Sequence, residues 1–260
     1  MTRRPPTRAG GWRIACLSTL LALPHHGHAE TLRLSDLWLA QQALPEPAAY
    51  SYFLLERQQQ TEQRRARRLH EELRTLIDWY ALDGRTDLAR GLETWQAAIA
   101  ELQSEPARTP ARADLAALLA APRHDPMLAS LAAVGHCDVP DWVELWHFGG
   151  VTRHQWAPEL SLRDVLNKQA DSQWARADEA WLITPQGAPR RIGVAAWNAS
   201  DAPLVPGTRI ALALAEPVQE AAWVNRALPG FLATRLPGDT CHTIAVPEAA
   251  GQVDSGGPAT

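Results

Sequence analysis

The sequence has 260 residues and lacks the usual signals of several large function classes. No stretch reaches the roughly 20 consecutive apolar residues that a membrane-spanning helix needs. No helix carries two histidines at zinc-binding spacing, and no glycine-rich loop suits a phosphate. Lysine is nearly absent: Lys168 is the single one, and arginine supplies the other basic residues. The formal net charge is −4, a mildly acidic balance that argues against binding a nucleic acid backbone. Nucleic acid is therefore not an expected partner. Cysteine is scarce, with three residues in all.

The first 29 residues read as a cleavable export signal. Arg3, Arg4, Arg8 and Arg13 form a positive leader, Ile14 to Leu23 an apolar run within the usual ~7–15 residues, and Pro24 ends it. Gly27 and Ala29 are small residues placed for cleavage after Ala29. Cys16 sits too early in the run for lipid attachment, and Pro5-Pro6 after Arg3-Arg4 argues against the twin-arginine route. Removal of this leader takes away four arginines and no acid, which moves the charge from −4 to about −8. A periplasmic protein with no transmembrane segment in its mature chain is expected.

Two cysteines then remain, Cys137 and Cys241. In an oxidising compartment they read first as a disulfide closing a long loop. Two free thiols, or a zinc site with the neighbouring His136 and His242, are the alternatives, although His136-Cys137 and Cys241-His242 lack normal zinc spacing.

Residues 56–104 give the clearest helical pattern. Leu69, Leu73, Leu76, Ile77 and Tyr80 share one face, and Leu88, Leu92, Trp95, Ile99 and Leu102 share another. Asp83-Gly84 between them predicts an antiparallel hairpin. The run Arg64-Arg65-Ala66-Arg67-Arg68 lies within pairing distance of Glu62, Glu71 and Glu72 and reads as a solvated helix face. Before the hairpin, Ser35-Asp36 caps an apolar turn and Tyr50 to Leu55 has strand composition. After it come a linker at Pro106 and Pro110, a short helix over Asp114 to Ala120, and an irregular stretch from Asp125-Pro126.

From Asp138 the pattern changes to strands. They are expected over 142–151, 152–156, 180–184, 190–197 and 208–214, with a capped helix at 161–166. Glu216-Pro217 opens a terminal amphipathic helix whose apolar face holds Val218, Ala221, Ala222, Leu228 and Leu232. Pro229-Gly230 is expected to kink or split it, and the chain beyond Pro237 reads as a flexible tail.

The segments WVELWHFGGV (142–151), SLRDVL (161–166), DEAWLITPQGAPRRIGVAAWN (178–198) and PLVPGTRIALAL (203–214) resemble the SLBB domain, a β-grasp fold of sugar export. With RLSDL (33–37) and WVNRALPGFLATRLP (223–237), most of the mature chain resembles the capsule biosynthesis GfcC-like family. The resemblance implies an α+β protein with two β-grasp units, an inserted helical hairpin and a C-terminal amphipathic helix. Its parts would be a first unit over 30–137, short of strands at its start and carrying the hairpin at about 56–104, a second over 138–215, the helix over 216–236 and a tail over 237–260. It implies no catalytic residues, no cofactor and no metal. The implied partners are the capsule or exopolysaccharide export machinery of the outer membrane or periplasm, and the polysaccharide itself.

Two other signals bear on function. VDSGGP (253–258) and AAVGHC (132–137) resemble the nucleophile and histidine segments of trypsin-like proteases, but the second barrel that such catalysis needs has no sequence to build it. His147 and His154 read as structural, and no carboxylates form a recognisable glycosidase pair. Six tryptophans, Trp142, Trp146, Trp156, Trp174, Trp181 and Trp197, crowd into the second half. Trp142, Trp146, Trp156 and Trp197 are candidate glycan contacts, with core packing the blander reading. Val218, Ala222, Leu228 and Leu232 either dock on a partner or close the protein's own core.

Overall fold

In the computed structural model, residues 32–41, 44–215 and 218–246 are described, and all fall within one compact unit. The expected signal peptide, the Glu216-Pro217 helix start and the protease-like VDSGGP segment lie outside the described residues. The fold is mixed α+β, with six α-helices and two sheets among the described residues.

Helix α1 (Leu34–Ala40) starts earlier than its Ser35-Asp36 signal suggests. Asp36 instead takes the third helical position, where its carboxylate accepts from the Arg33 amide at 2.8 Å. The Asp125-Pro126 stretch is not loose. Its carboxylate accepts from the Ser35 amide and hydroxyl, and the Pro126 carbonyl accepts from the Leu34 amide.

Strand β1 (Ser51–Leu55) runs straight into helix α2 (Glu56–Leu82), which turns at Gly84 (φ +75°) into helix α3 (Thr86–Ser104). Leu69, Leu73, Leu76, Leu92, Trp95 and Ile99 are fully buried along the facing stripes. Each such aliphatic side chain contributes about 1.5–3 kcal/mol. The arginine run is only partly a solvated face. Arg65 and Arg68 pair with Glu62 and Glu72, but Glu62 is buried and Arg68 lies over the Trp223 ring at 4.4 Å. A short helix α4 (Leu115–Ala120) follows, its amide end capped by the Asp114 carboxylate.

The segment 131–137, left without a strand by sequence patterning, forms β2 (Leu131–Cys137). Ala132, Ala133 and Gly135 have little strand propensity. Pairing with β1 on one side holds them extended. On the other side stands β8 (Cys241–Ile244), which occupies part of the expected tail, so the first sheet runs β1-β2-β8.

The second sheet is built from β3 (Trp142–His147), β4 (Gly150–Gln155), β5 (Glu179–Ile183), β6 (Arg190–Gly193) and β7 (Arg209–Leu212). Its order is β4-β3-β7-β5-β6, with β7 inserted between the two hairpins, parallel to β3 and antiparallel to β5. The 142–156 segment breaks at Phe148-Gly149 to form the β3–β4 hairpin, and β6 ends earlier than its pattern predicted because Ser200 folds back onto the Gly193 carbonyl. Helix α5 (Leu162–Asn167), capped reciprocally by Ser161 and Asp164, lies on one face with Val143, Leu145, Leu182 and Ile210.

The opposite face, with Trp146, Ile183 and Ala211, packs under α2, α3 and helix α6 (Gln219–Ala233). Of the expected kink or split at Pro229-Gly230, the split does not occur: helix α6 runs on through both residues. Pro229 is itself buried, between the fully buried Val224, Phe231 and Leu232, so tertiary packing holds the helix where propensity would interrupt it.

Candidate functional site: a charged row beneath a groove

Alternation along β3 puts Trp142, Glu144 and Trp146 on the helix-facing side of the sheet. Register then aligns Glu144 with Arg153 on β4 and with Arg209 on β7, forming a charged row across three strands. Glu144 and Arg209 are 4% and 3% exposed. The Glu144 carboxylate accepts from Arg153 Nε at 3.0 Å, Arg209 Nε at 3.2 Å and Trp146 Nε1 at 2.8 Å. Asp239, from the segment after α6, closes the row by accepting from Arg153 and from Trp142 Nε1.

Burial depresses the Arg209 guanidinium, and the Glu144 charge opposes that shift. Burial also acts against the Arg153 charge, but Glu144 and Asp239 outweigh it and hold this half-exposed guanidinium above its ordinary value. Glu144, Arg153 and Asp239 of the row form one wall of a groove of about 590 Å³, with Thr94, Ala98 and Glu101 of α3, and Glu105 just beyond it, on the other. Trp95 ties α3 to the β3–β4 turn, because its Nε1 donates to the carbonyls of His147 and Gly150 there.

Two further arginines are buried behind this row. Arg108 is 2% exposed and faces no carboxylate among its hydrogen-bond partners. It donates to the carbonyls of Ala233 and Arg235 at the end of α6 and to those of Thr184 and Pro185 in the β5–β6 turn. Burial, with Arg209 nearby, pulls it down to about 9. Helix C-terminal carbonyls carry partial negative charge and take the place of an acid there. Arg235 is pulled down to about 10 by burial, against the pull of Glu62. Burial raises the Glu62 carboxyl, while Arg65 and Arg235 oppose the shift.

The tryptophans named from sequence do not form one platform. Trp146 is fully buried edge-on to Trp95 at 5.8 Å and is a core residue. Trp142 is 5% exposed, with Arg153 at 4.2 Å and Arg209 at 5.3 Å from its ring, so guanidinium groups occupy the surfaces a sugar needs. Trp156 packs against the α5 side of the sheet and donates to the Leu204 carbonyl. Trp197 alone of the four is open, at 78% exposure, on the loop after β6.

On the terminal helix, Leu228 and Leu232 belong to the main core with α2 and α3, Val218 packs at its margin, and Ala222 is half-buried. That face closes the protein's own interior. Cys137 and Cys241 are joined by a disulfide at paired positions of β2 and β8. His136 and His242 form the next pair, their rings 5.1 Å apart. Neighbouring residues on a strand point to opposite faces, so a Cys2His2 zinc site cannot assemble here. His147 is buried and pulled down to about 4 by desolvation and by His154.

Arg153 lies on β4, Arg209 on β7, and Arg235 two residues beyond the end of α6. Residues 151–237, which span these elements, match the family model described as capsule biosynthesis GfcC C-terminal. The match takes in about a third of the chain. The match covers the second sheet apart from β3, together with the terminal helix, and it implies a role in capsule biosynthesis. No curated protein matches the chain. Among the described residues, no helix is long and apolar enough to cross a membrane.

Proposed function

We propose that the protein is a non-catalytic periplasmic accessory of capsule or exopolysaccharide assembly and export, working by contact with the export machinery. The observation that carries this reading is the family match over 151–237. The order hairpin, helix, hairpin, strand, with the last strand parallel to the first at the sheet's centre, supports a β-grasp unit of the SLBB type. The three-stranded first sheet is a reduced partner to it. The export leader supports the compartment. The buried carboxylates support a structural role for the charged row: Glu144 is held by two arginines, Asp125 by Ser35, and Glu62 by Arg65.

Trp197 favours a second reading, direct contact with polysaccharide, because a tryptophan held this open presents a flat face for a sugar ring. The test of the first reading is deletion of the gene in its host, with surface polysaccharide measured by extraction and by electron microscopy. Loss of surface polymer, restored by the intact gene, is expected. Unchanged polymer, or release of new reducing ends when the purified protein meets the polymer, contradicts the reading.

A further inference from the structure

A second cavity, outside the charged row, lies where the turn between α2 and α3 meets the β3–β4 turn. It encloses about 490 Å³ and is lined by Arg85, Arg90 and Arg176, with Asp87, Ser172 and Gln173. Such a volume is typical of small-ligand sites. Arg85 and Arg176 have no carboxylate partner among the described residues, while Arg90 shares Asp87 at 3.1 Å. That pair is 71% and 96% exposed, where an ion pair is weak and easily exchanged. The whole chain carries a net charge of −4, so three arginines around one concavity stand against the background charge.

The walls are set before any ligand arrives. Arg85 lies over the Tyr80 ring at 4.7 Å. Gly91 of α3 backs onto the Phe148 carbonyl so closely that a Cβ there would lie 1.9 Å from the oxygen. The Phe148 amide donates to the Gln173 carbonyl at 3.0 Å, which pins the 172–176 segment to the turn.

We propose that this cavity binds an anionic saccharide through its carboxylate or phosphate oxygens. Planar guanidinium groups match both anions with paired hydrogen bonds. The choice of a saccharide rests on the function proposed above; the attraction for an oxyanion rests on the cavity alone.

Calorimetric titration of the folded protein with trigalacturonate, glucose 1-phosphate and neutral maltotriose tests it. Variants are Arg176→Gln, the double change Arg85→Gln/Arg176→Gln, and Arg163→Gln on the exposed surface as control. At least one anionic ligand binds, maltotriose is at least about tenfold weaker, and the double variant loses about tenfold or more in affinity. The control stays as wild type, and added salt weakens binding. Preference for trigalacturonate over glucose 1-phosphate assigns a uronate, and the reverse assigns a phosphorylated sugar. No binding of either anion, or equal binding by wild type and double variant, overturns the proposal. These outcomes are separate from the deletion phenotype: normal surface polymer in the deletion strain ends the capsule reading without touching oxyanion binding.

Discussion

Replacing Glu144 with Ala tests whether the charged row is a structural element of the second sheet. The change leaves Arg209, 3% exposed, without its carboxylate, and leaves Trp146 Nε1 without an acceptor. Stranding one member of a buried ion pair costs about 3–5 kcal/mol. The Arg153 contact adds little, because that side chain is 44% exposed and water can replace the carboxylate. Part of the Arg209 charge remains satisfied by the Leu236 carbonyl at 3.1 Å, which favours the lower half of the range. For a domain of this size the loss corresponds to a fall in Tm of roughly 6–16 °C. Thermal and urea unfolding followed by tryptophan fluorescence measures it. The double change Glu144→Ala/Arg209→Met removes the stranded charge as well and is expected to recover much of the loss. A single-variant loss below about 1 kcal/mol, or a double variant no better than the sum of the singles, refutes the assignment.

The other predictions concern the disulfide, the tryptophans and acid stability. Replacing Cys137 and Cys241 with Ser frees a separation of 104 residues and is expected to cost about 4–5 kcal/mol in the loop-entropy account, read by denaturant unfolding; an unchanged midpoint contradicts it. Trp146→Ala empties a fully buried site and should cost about 3–5 kcal/mol, whereas Trp197→Ala, at 78% exposure, should change stability by less than about 0.5 kcal/mol. Equal effects on unfolding from both changes would remove the distinction drawn between them. His147 titrates at about 4 in the fold against 6.5 when free, so the unfolded chain takes up the proton first and stability falls as pH drops from about 6.5 toward 4. The variant His147→Gln should flatten that stretch of the pH–stability curve, and an unaltered slope would exclude His147 as its source.

Much of the architecture was readable from residue patterns alone. The hairpin of α2 and α3 follows from apolar residues at three- and four-residue steps around Asp83-Gly84. The strands of the second sheet follow from alternation, and α5 from its Ser161–Asp164 capping box. Strand β2 was not readable, because its alanines and Gly135 carry no strand preference, and β8 was hidden in a short polar stretch taken for a tail. The site was only half visible. Sharing of a face by Trp142 and Trp146 followed from parity, and the same parity placed Glu144 between them. An acid between two core-facing tryptophans, with Arg209 heading an otherwise apolar strand, was the available signal for the charged row.

Local pattern carries periodicity, caps and turns, because each depends on residues within a few positions of one another. The residue patterns therefore set this protein's helical hairpin, its second sheet and the inward faces of both. Partners distant along the chain belong to another class. Arg153, Glu144 and Arg209 meet through strand register, Arg108 finds the end of α6, and Cys241 brings the C-terminal strand to β2. Pro229 within an unbroken helix and the guanidinium groups over Trp142 have the same origin. Packing energy gathered across the whole fold outweighs what the neighbouring residues prefer, and it alone decides which side chains are left to face a ligand.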